Sequence, residues 1–514
     1  MASSAAAGEV VLRLAGITKR FGELVANDAI DLELRRGEVL GLLGENGAGK
    51  TTLMSILFGH YTADSGRIEV RGRSLPPGDP AAALAAGIGM VHQHFALAPG
   101  LTALDNILLG SQPLLSPWLA RTGPRRRIEA LMRTAGLEVP LDRPVHALSV
   151  GERQRVEILR ALDRGASILI MDEPTAVLTP QESESLFQTL RRLAADGMAV
   201  VLISHKLGEV MALADRIAVL RGGRKVAERW TDQTDPGELA ELMVGHAVDE
   251  PVVRPRAPGA PLVVLERVSV RGGHGRPALD DASLALAAGS ITGIAGVSGN
   301  GQQALAGLLC GTIRPSAGRI VIDGVSWTPS PRAALEARIG RIPEDRHADG
   351  VVGDLSLWEN LILEDYRKSW LQRWGVVQRR AALESARQTI ASYDIRGAGP
   401  AAPVRQLSGG NMQKLILARV LERGPRIVVA DQPTRGLDVG AVAWVHQRLL
   451  MARDRGAAIL LISEDLDELR RLADPIVVIH AGRLSEPIPR ERADPRRLGL
   501  LMAGQADDAA RASV

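Results

Sequence analysis

The chain has 514 residues, a formal net charge of +3, 46% hydrophobic residues and 24% charged residues. This length exceeds what one hydrophobic core normally supports, so two to four domains are expected, and the composition excludes a disordered or collagen-like chain. The sequence predicts neither a membrane span nor a secretory signal, and the single Cys310 cannot form an internal disulfide, which fits a reducing cytoplasm.

The first half contains a phosphate-binding loop between a strand and a helix. Residues 44–51, GENGAGKT, match the pattern G-x-x-x-x-G-K-[ST], with the strand-like EVLGLL before them and the helix-like TLMSILFG after them. Glycines let the backbone wrap phosphates at a helix N-terminus, Lys50 can reach the β- and γ-phosphates, and the Thr51 hydroxyl can coordinate Mg²⁺. The predicted ATP-binding residues of this loop are Gly44, Glu45, Asn46, Gly47, Ala48, Gly49, Lys50, Thr51 and Thr52.

Three further apolar strands of the first half lead into polar residues. ILIMDEP ends in Asp172, which suits Mg²⁺ directly or through water, and Glu173, which is placed to polarise the attacking water. Gln93 follows GIGMVH and His205 follows VVLIS, so both are expected at the sheet edge where open α/β sheets bind ligands. We predict catalytic roles for Lys50, Glu173 and His205, and a Mg²⁺ site formed by Thr51, Gln93 and Asp172.

The densest basic cluster is Arg125 to Arg127, within RTGPRRRIEALMR. We interpret it as the solvated start of a helix, with proximity to phosphate or to an anionic membrane as the alternative. It does not indicate a nucleic-acid-binding protein.

The same motifs recur in the second half in the same order. Residues 149–180 match residues 408–439 without a gap, and residues 41–59 match residues 293–311. A duplicated domain explains this arrangement, whereas chance glycines do not.

Each half is predicted to be an α/β domain. Apolar runs alternate with helical patterns, as in the strand, helix and strand of residues 200–220, which indicates a mostly parallel sheet with helices on its faces. Stretches from about 95 to 165 and from about 346 to 425 lack such strands and are predicted to be helical subdomains. The Pro-rich residues 249–261 are predicted to be a linker between domains at 1–248 and 262–514.

The phosphate loop, the glutamine, LSVGERQ (148–154), MDEP and SH occur in the order that resembles an ATP-binding-cassette ATPase. The resemblance implies two P-loop NTPase domains, each with a mostly parallel sheet, an antiparallel portion and a helical subdomain. It also implies that ATP lies between the phosphate loop of one cassette and the signature loop of the other, with Phe21 in KRFG stacking on adenine. On this basis the second signature, with Ser408, Gly409 and Gly410, and the later Asp438 would complete the site of the first half.

The second half has lost the residues that the family uses for chemistry. Pairing each first-half residue with its second-half counterpart gives Lys50 with Gln302, Thr51 with Gln303, Gln93 with Glu344, Glu173 with Gln432, and His205 with Glu464. All of these losses fall on the one composite site that the signature around Ser149 would close. The loop TAVLT (175–179) lacks the aspartate that TRGLD (434–438) keeps. We therefore expect one hydrolytic site and one degenerate site, which can still bind ATP weakly or statically.

The resemblance favours the energising subunit of a membrane importer. Such a subunit would lie peripherally on the cytoplasmic face of the cell (inner) membrane with two integral-membrane permease subunits, and an extracytoplasmic solute-binding protein would act indirectly. A soluble tandem cassette that acts on ribosomes is the rival, although the short linker and the degenerate site argue against it; an exporter usually carries fused spans. GNGQ, PEDR (343–346), LSGGNMQK and PTRGLD are similar to sugar and nucleoside importers, with nucleoside favoured over ribose or galactose.

Overall fold

The protein is described from a computed structural model that covers residues 8–92, 95–110, 122–175, 178, 180–204, 206–245, 251, 253–273, 277–397 and 399–504. The chain divides into two compact units, residues 1–248 and residues 249–514. Among the described residues, no helix is long and apolar enough to cross a membrane.

Unit 1 contains two sheets and several helices. Its strands are β1 (Val10–Phe21), β2 (Leu24–Arg35), β3 (Val39–Gly44), β4 (Ser65–Val70), β5 (Arg73–Ser74), β6 (Ile88–Val91), β7 (Ile168–Asp172), β8 (Ala199–Ile203), β9 (Arg216–Arg221) and β10 (Arg224–Trp230). Its helices are α1 (Lys50–Leu57), α2 (Pro80–Ala85), α3 (Ala103–Leu108), α4 (Thr122–Ala135), α5 (Val150–Asp163), α6 (Pro180–Ala195), α7 (Leu207–Leu213) and α8 (Pro236–Val244).

The main sheet of unit 1 has the order β10-β9-β3-β8-β7-β6, in which only β10 pairs antiparallel. The second sheet, β2-β1-β4-β5, is antiparallel. Residues of α1, including Leu53 and Leu57, are buried in one core with residues of both sheets. The predicted parallel sheet with an antiparallel portion is therefore confirmed, and the strand, helix and strand predicted within 200–220 are β8, α7 and β9.

Strands β3, β7 and β8 are buried along their whole length, which explains their nearly continuous Val, Ile and Leu content. Since they run parallel, their carboxyl ends lie at one edge of the sheet. Gly44, Asp172 and Ile203 are the last residues of these three strands. This edge carries the first phosphate loop.

Helices α3, α4 and α5 form the helical part of unit 1 predicted from the absence of strand patterns. The Arg125–Arg127 cluster lies in α4, where Arg125 pairs with Asp142 and Glu129, and Arg127 pairs with Asp163. Arg125 and Arg127 thus lie on the surface of the helix with acidic partners, in agreement with the interpretation as a solvated helix start.

Unit 2 repeats this plan. Its strands are β11 (Pro261–Arg271), β12 (Pro277–Ala287), β13 (Ile291–Ala295), β14 (Ala317–Ile322), β15 (Val325–Trp327), β16 (Ile339–Ile342), β17 (Gln372–Arg373), β18 (Val376–Val377), β19 (Ile427–Asp431), β20 (Ala458–Ser463), β21 (Pro475–His480), β22 (Arg483–Leu484) and β23 (Ile488–Pro489). Its helices are α9 (Gln302–Leu309), α10 (Pro331–Glu336), α11 (Leu357–Ile362), α12 (Arg379–Ser392), α13 (Gly409–Leu421), α14 (Val439–Asp454), α15 (Leu466–Leu472) and α16 (Pro495–Met502).

The main sheet of unit 2 has the order β16-β19-β20-β13-β21-β22, parallel from β16 to β21, and β12-β11-β14-β15 is its antiparallel sheet. Helices α11, α12 and α13 form the helical part. The predicted helical part is therefore confirmed, and residues 346–425 also contain a two-stranded hairpin, β17–β18, that the sequence did not predict. Each of its strands has only two residues, too few to give a detectable alternation of apolar and polar residues.

Candidate nucleotide site

The first phosphate loop joins the buried β3 to the N-terminus of α1, as predicted. Gly47 (φ 83°) and Gly49 (φ 96°) adopt the left-handed conformation that side chains disfavour. A Cβ at Gly49 would lie 2.6 Å from the Asn27 side-chain nitrogen, so no larger residue fits there. The loop therefore presents backbone N–H groups at a helix N-terminus, which is a favourable environment for phosphate.

The Lys50 ammonium group is folded into this loop. Its Nζ donates hydrogen bonds to the carbonyl oxygens of Gly44 (2.7 Å) and Glu45 (3.0 Å). Burial lowers the pKa of Lys50, while Glu173, Asp172 and Glu45 act in the opposite direction. A buried ammonium held by neutral carbonyls favours an anionic ligand beside it, and a phosphate group meets that requirement.

Asn27, in β2, supports the loop from behind and was missed in the sequence. Its fully buried side-chain amide donates to the carbonyl oxygen of Gly49 at 3.0 Å. No short motif includes Asn27, because it lies 22 residues before Gly49 on another strand. Only the packing of β2 against α1 brings the two residues together.

Asp172 and Glu173 lie at the carboxyl end of β7. Burial, followed by the charge of Glu173, raises the pKa of Asp172, and Lys50 opposes this. Glu173 has a left-handed backbone (φ 46°), and its N–H donates to the carbonyl oxygen of Ile203 on β8 at 2.9 Å. Carboxylate and hydroxyl oxygens are the ligands that Mg²⁺ prefers, and Asp172 and Glu173 add negative charge here, so Asp172 and the exposed Thr51 are a chemically suitable donor set for Mg²⁺.

The structure describes only some of the other residues predicted for this site. Phe21, at the end of β1, is 43% exposed and packs edge-to-face against Tyr61 with ring centroids 5.5 Å apart, so its ring is available for stacking. Thr52 lies half-buried in the first turn of α1. Gln93 and His205 lie outside the described residues, as do Ala176, Val177 and Thr179 of the loop after Glu173.

The second phosphate loop keeps its shape with a glutamine in place of the lysine. The buried Gln302 accepts a hydrogen bond from the Asn300 N–H (3.0 Å) through Oε1 and donates to the Val297 carbonyl oxygen (2.8 Å) through Nε2. Gly299 (φ 86°) and Gly301 (φ 116°) retain the left-handed backbone of their first-half counterparts. The Gln302 side chain therefore makes its hydrogen bonds within the loop, and it carries no positive charge that would attract a phosphate.

The surroundings of Asp431, at the carboxyl end of β19, contain two further carboxylates and two arginines. Burial, then the charge of Glu344, raises the pKa of Asp431 to about 6, and Glu464 adds to this effect. Glu344 is engaged by Arg435 and by the Gln303 side-chain amide at 3.4 Å. This surrounding is less favourable for a nucleotide phosphate than the environment of Lys50.

The first signature, LSVGERQ, begins α5 and is capped by its own acid. The Ser149 Oγ accepts a hydrogen bond from the Glu152 N–H (3.1 Å), and the Glu152 carboxylate accepts one from the Ser149 N–H (2.7 Å). This capping box uses donors at the helix N-terminus and places a negative charge there. A phosphate approaching this end would be repelled.

The second signature, LSGGNMQ, has the opposite character. Ser408 precedes α13 without a capping hydrogen bond from its side chain, which instead accepts from the Asn411 amide at 3.0 Å. Asn411 corresponds to Glu152, so the acid is absent. The Arg346 guanidinium lies beside the loop, 3.1 Å from the position that a Cβ on Gly409 would take. Burial lowers the pKa of Arg346.

Asp438 lies close to the second signature. Its Oδ1 accepts from the Ala441 N–H (2.7 Å) as the N-cap of α14, and its Oδ2 is 4.0 Å from the position of a Cβ on Gly410. The structure therefore brings Ser408, Gly409, Gly410 and Asp438 together within unit 2. Arg346 is an addition that sequence reasoning missed, although PEDR contains it.

The geometry of each unit defines an ATP-binding cassette, with a phosphate loop, a carboxylate-bearing strand and a signature helix. The model of the ABC transporter family matches residues 27–176 and 279–435. The chain belongs to this family and carries two ATPase cassettes, as the motifs predicted.

Relatives match along nearly the whole chain. The nucleoside import ATP-binding protein of Lactococcus lactis subsp. cremoris is 42% identical over 97% of this chain and 99% of its own length. The glucose import ATP-binding protein of Haloferax volcanii is 42% identical over 98% of each chain. The guanosine import ATP-binding protein of Bacillus subtilis is 41% identical over 96% of this chain and 98% of its own length.

A solved structure that spans both cassettes also matches. It is the archaeal ribosome recycling factor aABCE1 in complex with the ribosomal stalk protein aP1, at 20% identity, with a TM-score of 0.63, over 95% of this chain and 92% of that chain. At this identity the likeness supports the two-cassette fold alone.

Proposed function

We propose that this chain is the ATP-hydrolysing subunit of a nucleoside importer, in which one cassette carries a competent ATP site and the other a degenerate one. The competent site is built on the phosphate loop of unit 1 with bound Mg²⁺. Two separate integral-membrane permease subunits carry the solute, an extracytoplasmic solute-binding protein delivers it, and the chain lies peripherally at the cytoplasmic face of the cell membrane.

One observation carries the asymmetry: Lys50 in the first phosphate loop is replaced by Gln302 in the second, while the rest of the loop keeps its shape. An ammonium group that contacts phosphate contributes about 1.5–3 kcal/mol through a charge-assisted hydrogen bond, and a neutral amide forfeits most of it. Two carboxylates near Asp431, Glu344 and Glu464, add negative charge, which two arginines offset only in part.

The signatures support the same division. In the family, the signature of one cassette completes the site of the other, in the same chain or in a second copy. The second signature has Asn411 and Arg346, which favour a γ-phosphate, whereas the first has Glu152, which disfavours it. In this proposal, the signature that is more favourable for a γ-phosphate completes the site that contains Lys50.

Each residue of the proposed competent site has a distinct role. Lys50 holds the β- and γ-phosphates, Glu173 polarises the attacking water, and His205 contacts the γ-phosphate. Mg²⁺ is held by Thr51, Gln93 and Asp172, and Phe21 stacks on adenine. The second half contributes Ser408, Gly409, Gly410 and Asp438.

Nucleoside is the proposed solute class. A relative named for nucleoside import and one named for guanosine import match at 42% and 41% identity, above the ribose import relatives at 37–40%. Gln432 in place of an acid is a feature of this sequence that resembles the nucleoside branch. The second candidate is a monosaccharide, because the glucose import relative has the same identity as the nucleoside import relative.

Reconstitution tests the solute class. The chain and its permease subunits are placed in proteoliposomes with the cognate binding protein, and ATP hydrolysis is measured with nucleosides and, separately, with ribose, galactose and glucose. Stimulation by nucleosides alone supports the proposal, whereas stimulation by a sugar alone replaces it with the second candidate. Co-purification with ribosomes in place of membrane proteins would overturn the importer role.

A further inference from the structure

The hairpin β17–β18 has an unusual residue at its tip. Its strands pair Gln372 with Val377 and Arg373 with Val376, which leaves Trp374 and Gly375 as a two-residue turn. Both turn residues have positive φ, 55° for Trp374 and 80° for Gly375. Turns of this kind favour Asn-Gly or Asp-Gly, and a bulky residue with positive φ is an outlier that costs on the order of 1 kcal/mol or more. Some role other than turn formation is needed to explain Trp374.

The tip is apolar and faces solvent. Trp374 is 92% exposed and Val376 is 69% exposed, while Trp370 and Tyr366 beside the hairpin are 48% and 44% exposed. The hairpin is nevertheless anchored, because the fully buried Leu371 packs with Ile362 and Ala382. A fixed base therefore supports a projecting aromatic surface.

The aromatic residues concentrated here are scarce elsewhere. The whole chain has seven Trp and three Tyr, yet residues 366–374 contain two Trp and one Tyr. Residues 366–380 also contain five basic residues and no acidic residue, and one of the five, Lys368, is paired with the neighbouring Asp365. The exposed Arg367 lies over the Tyr366 ring at 5.5 Å, and the exposed Arg373 directly precedes Trp374.

We propose that residues 366–380, the aromatic hairpin segment, insert the Trp374 tip into the headgroup region of an anionic lipid bilayer. Tryptophan and tyrosine favour the membrane–water interface because their rings are apolar bodies with a polar end. Arginine and lysine beside them attract anionic headgroups, at about fivefold in affinity per cation near the surface. The aromatic hairpin segment carries both aromatic and basic side chains on one hairpin, whose base is fixed by the buried Leu371. This binding does not depend on which solute is transported.

Vesicle binding by the purified full-length protein tests the proposal without any permease. We expect binding to vesicles of phosphatidylcholine with phosphatidylglycerol, weaker binding to phosphatidylcholine alone, and loss of binding at high salt. Trp374→Ser is expected to weaken binding to both vesicles severalfold. Arg373→Gln is expected to weaken binding only to the anionic vesicles, by about fivefold.

Trp230→Ser is the matched control, because Trp230 is also exposed (41%) but lies at the end of β10 in unit 1. Unchanged thermal melting of each variant checks that folding is intact. Equal vesicle binding by the wild type and Trp374→Ser would overturn the proposal. So would a Trp374→Ser protein that binds vesicles normally but fails to assemble with its permease, since the tip would then contact protein.

Discussion

The Glu152 carboxylate accepts a hydrogen bond from the Ser149 N–H at 2.7 Å, so the first signature carries its own anion at the helix N-terminus. At the corresponding position of the second signature, the Asn411 amide donates to the Ser408 Oγ at 3.0 Å and brings no charge. The first signature therefore presents a negative charge to an approaching phosphate, and the second does not.

Exchanging these two side chains tests whether the second signature completes the competent site, which is built on the phosphate loop of unit 1. We expect Asn411→Glu to lower steady-state ATP hydrolysis at least about tenfold, because it places a carboxylate beside the γ-phosphate. Glu152→Asn, the matched change, is expected to leave hydrolysis nearly unchanged. Equal effects of the two variants in a phosphate-release assay would contradict the one-site assignment.

Arg346 is expected to contribute to ATP binding through its position beside Gly409. Arg346→Ala should lower kcat/KM for ATP by about 10- to 100-fold, the equivalent of one charge-assisted hydrogen bond. Arg346→Lys should recover part of the loss, because the charge remains. An Arg346→Ala enzyme with wild-type kinetics would show that the guanidinium only packs against the loop.

The catalytic carboxylate, Glu173, is predicted to act in one cassette only. Glu173→Gln should abolish steady-state hydrolysis, whereas Gln432→Glu should barely alter it. Both residues have the same backbone conformation, with φ of 46° and 49°, so each substitution changes the side chain alone. Robust turnover by the Glu173→Gln protein would rule out a single hydrolytic site at unit 1.

Gln302 is predicted to stabilise unit 2 without acting in hydrolysis. Gln302→Ala removes two hydrogen bonds inside the second loop and should lower the free energy of unfolding by about 1–3 kcal/mol. Chemical denaturation measures this change, while ATPase activity of the remaining folded protein serves as the control. A stable variant with lost activity would instead indicate that Gln302 contacts a required nucleotide.

Asp431 gives unit 2 a pH-dependent stability. The folded pKa of about 6 lies above the ordinary value of 3.8, so folding favours the protonated carboxyl. The free energy of unfolding therefore falls as the pH rises from about 4 to about 6, and it stays lower above that range. Asp431→Asn should raise the melting temperature above pH 6, by an amount that corresponds to at most about 3 kcal/mol, and give no gain near pH 4. A lower melting temperature at neutral pH would contradict this reasoning.

Sequence motifs identified the phosphate loop because its residues are adjacent in the chain, and the fold of each unit followed from long apolar strands. Asn27 and Arg346 were missed because their partners, Gly49 and Gly409, are brought close only by packing. The hairpin at Trp374 escaped detection since strands of two residues leave no periodic pattern. The roles of all the site residues remain predictions, and Gln93 and His205 also lie outside the described residues.

The same side-chain hydrogen bond joins the signature helix to the chain shortly after the carboxylate-bearing strand in both units. The Gln154 amide donates to the Pro174 carbonyl oxygen at 2.7 Å, and the Gln413 amide donates to the Pro433 carbonyl oxygen at the same distance. Each bond fastens a signature helix to the chain just after its carboxylate-bearing strand. A movement of either helix would therefore be passed to the corresponding strand end through the same bond, so the second unit keeps this connection even where it lacks the lysine and the acid of the first.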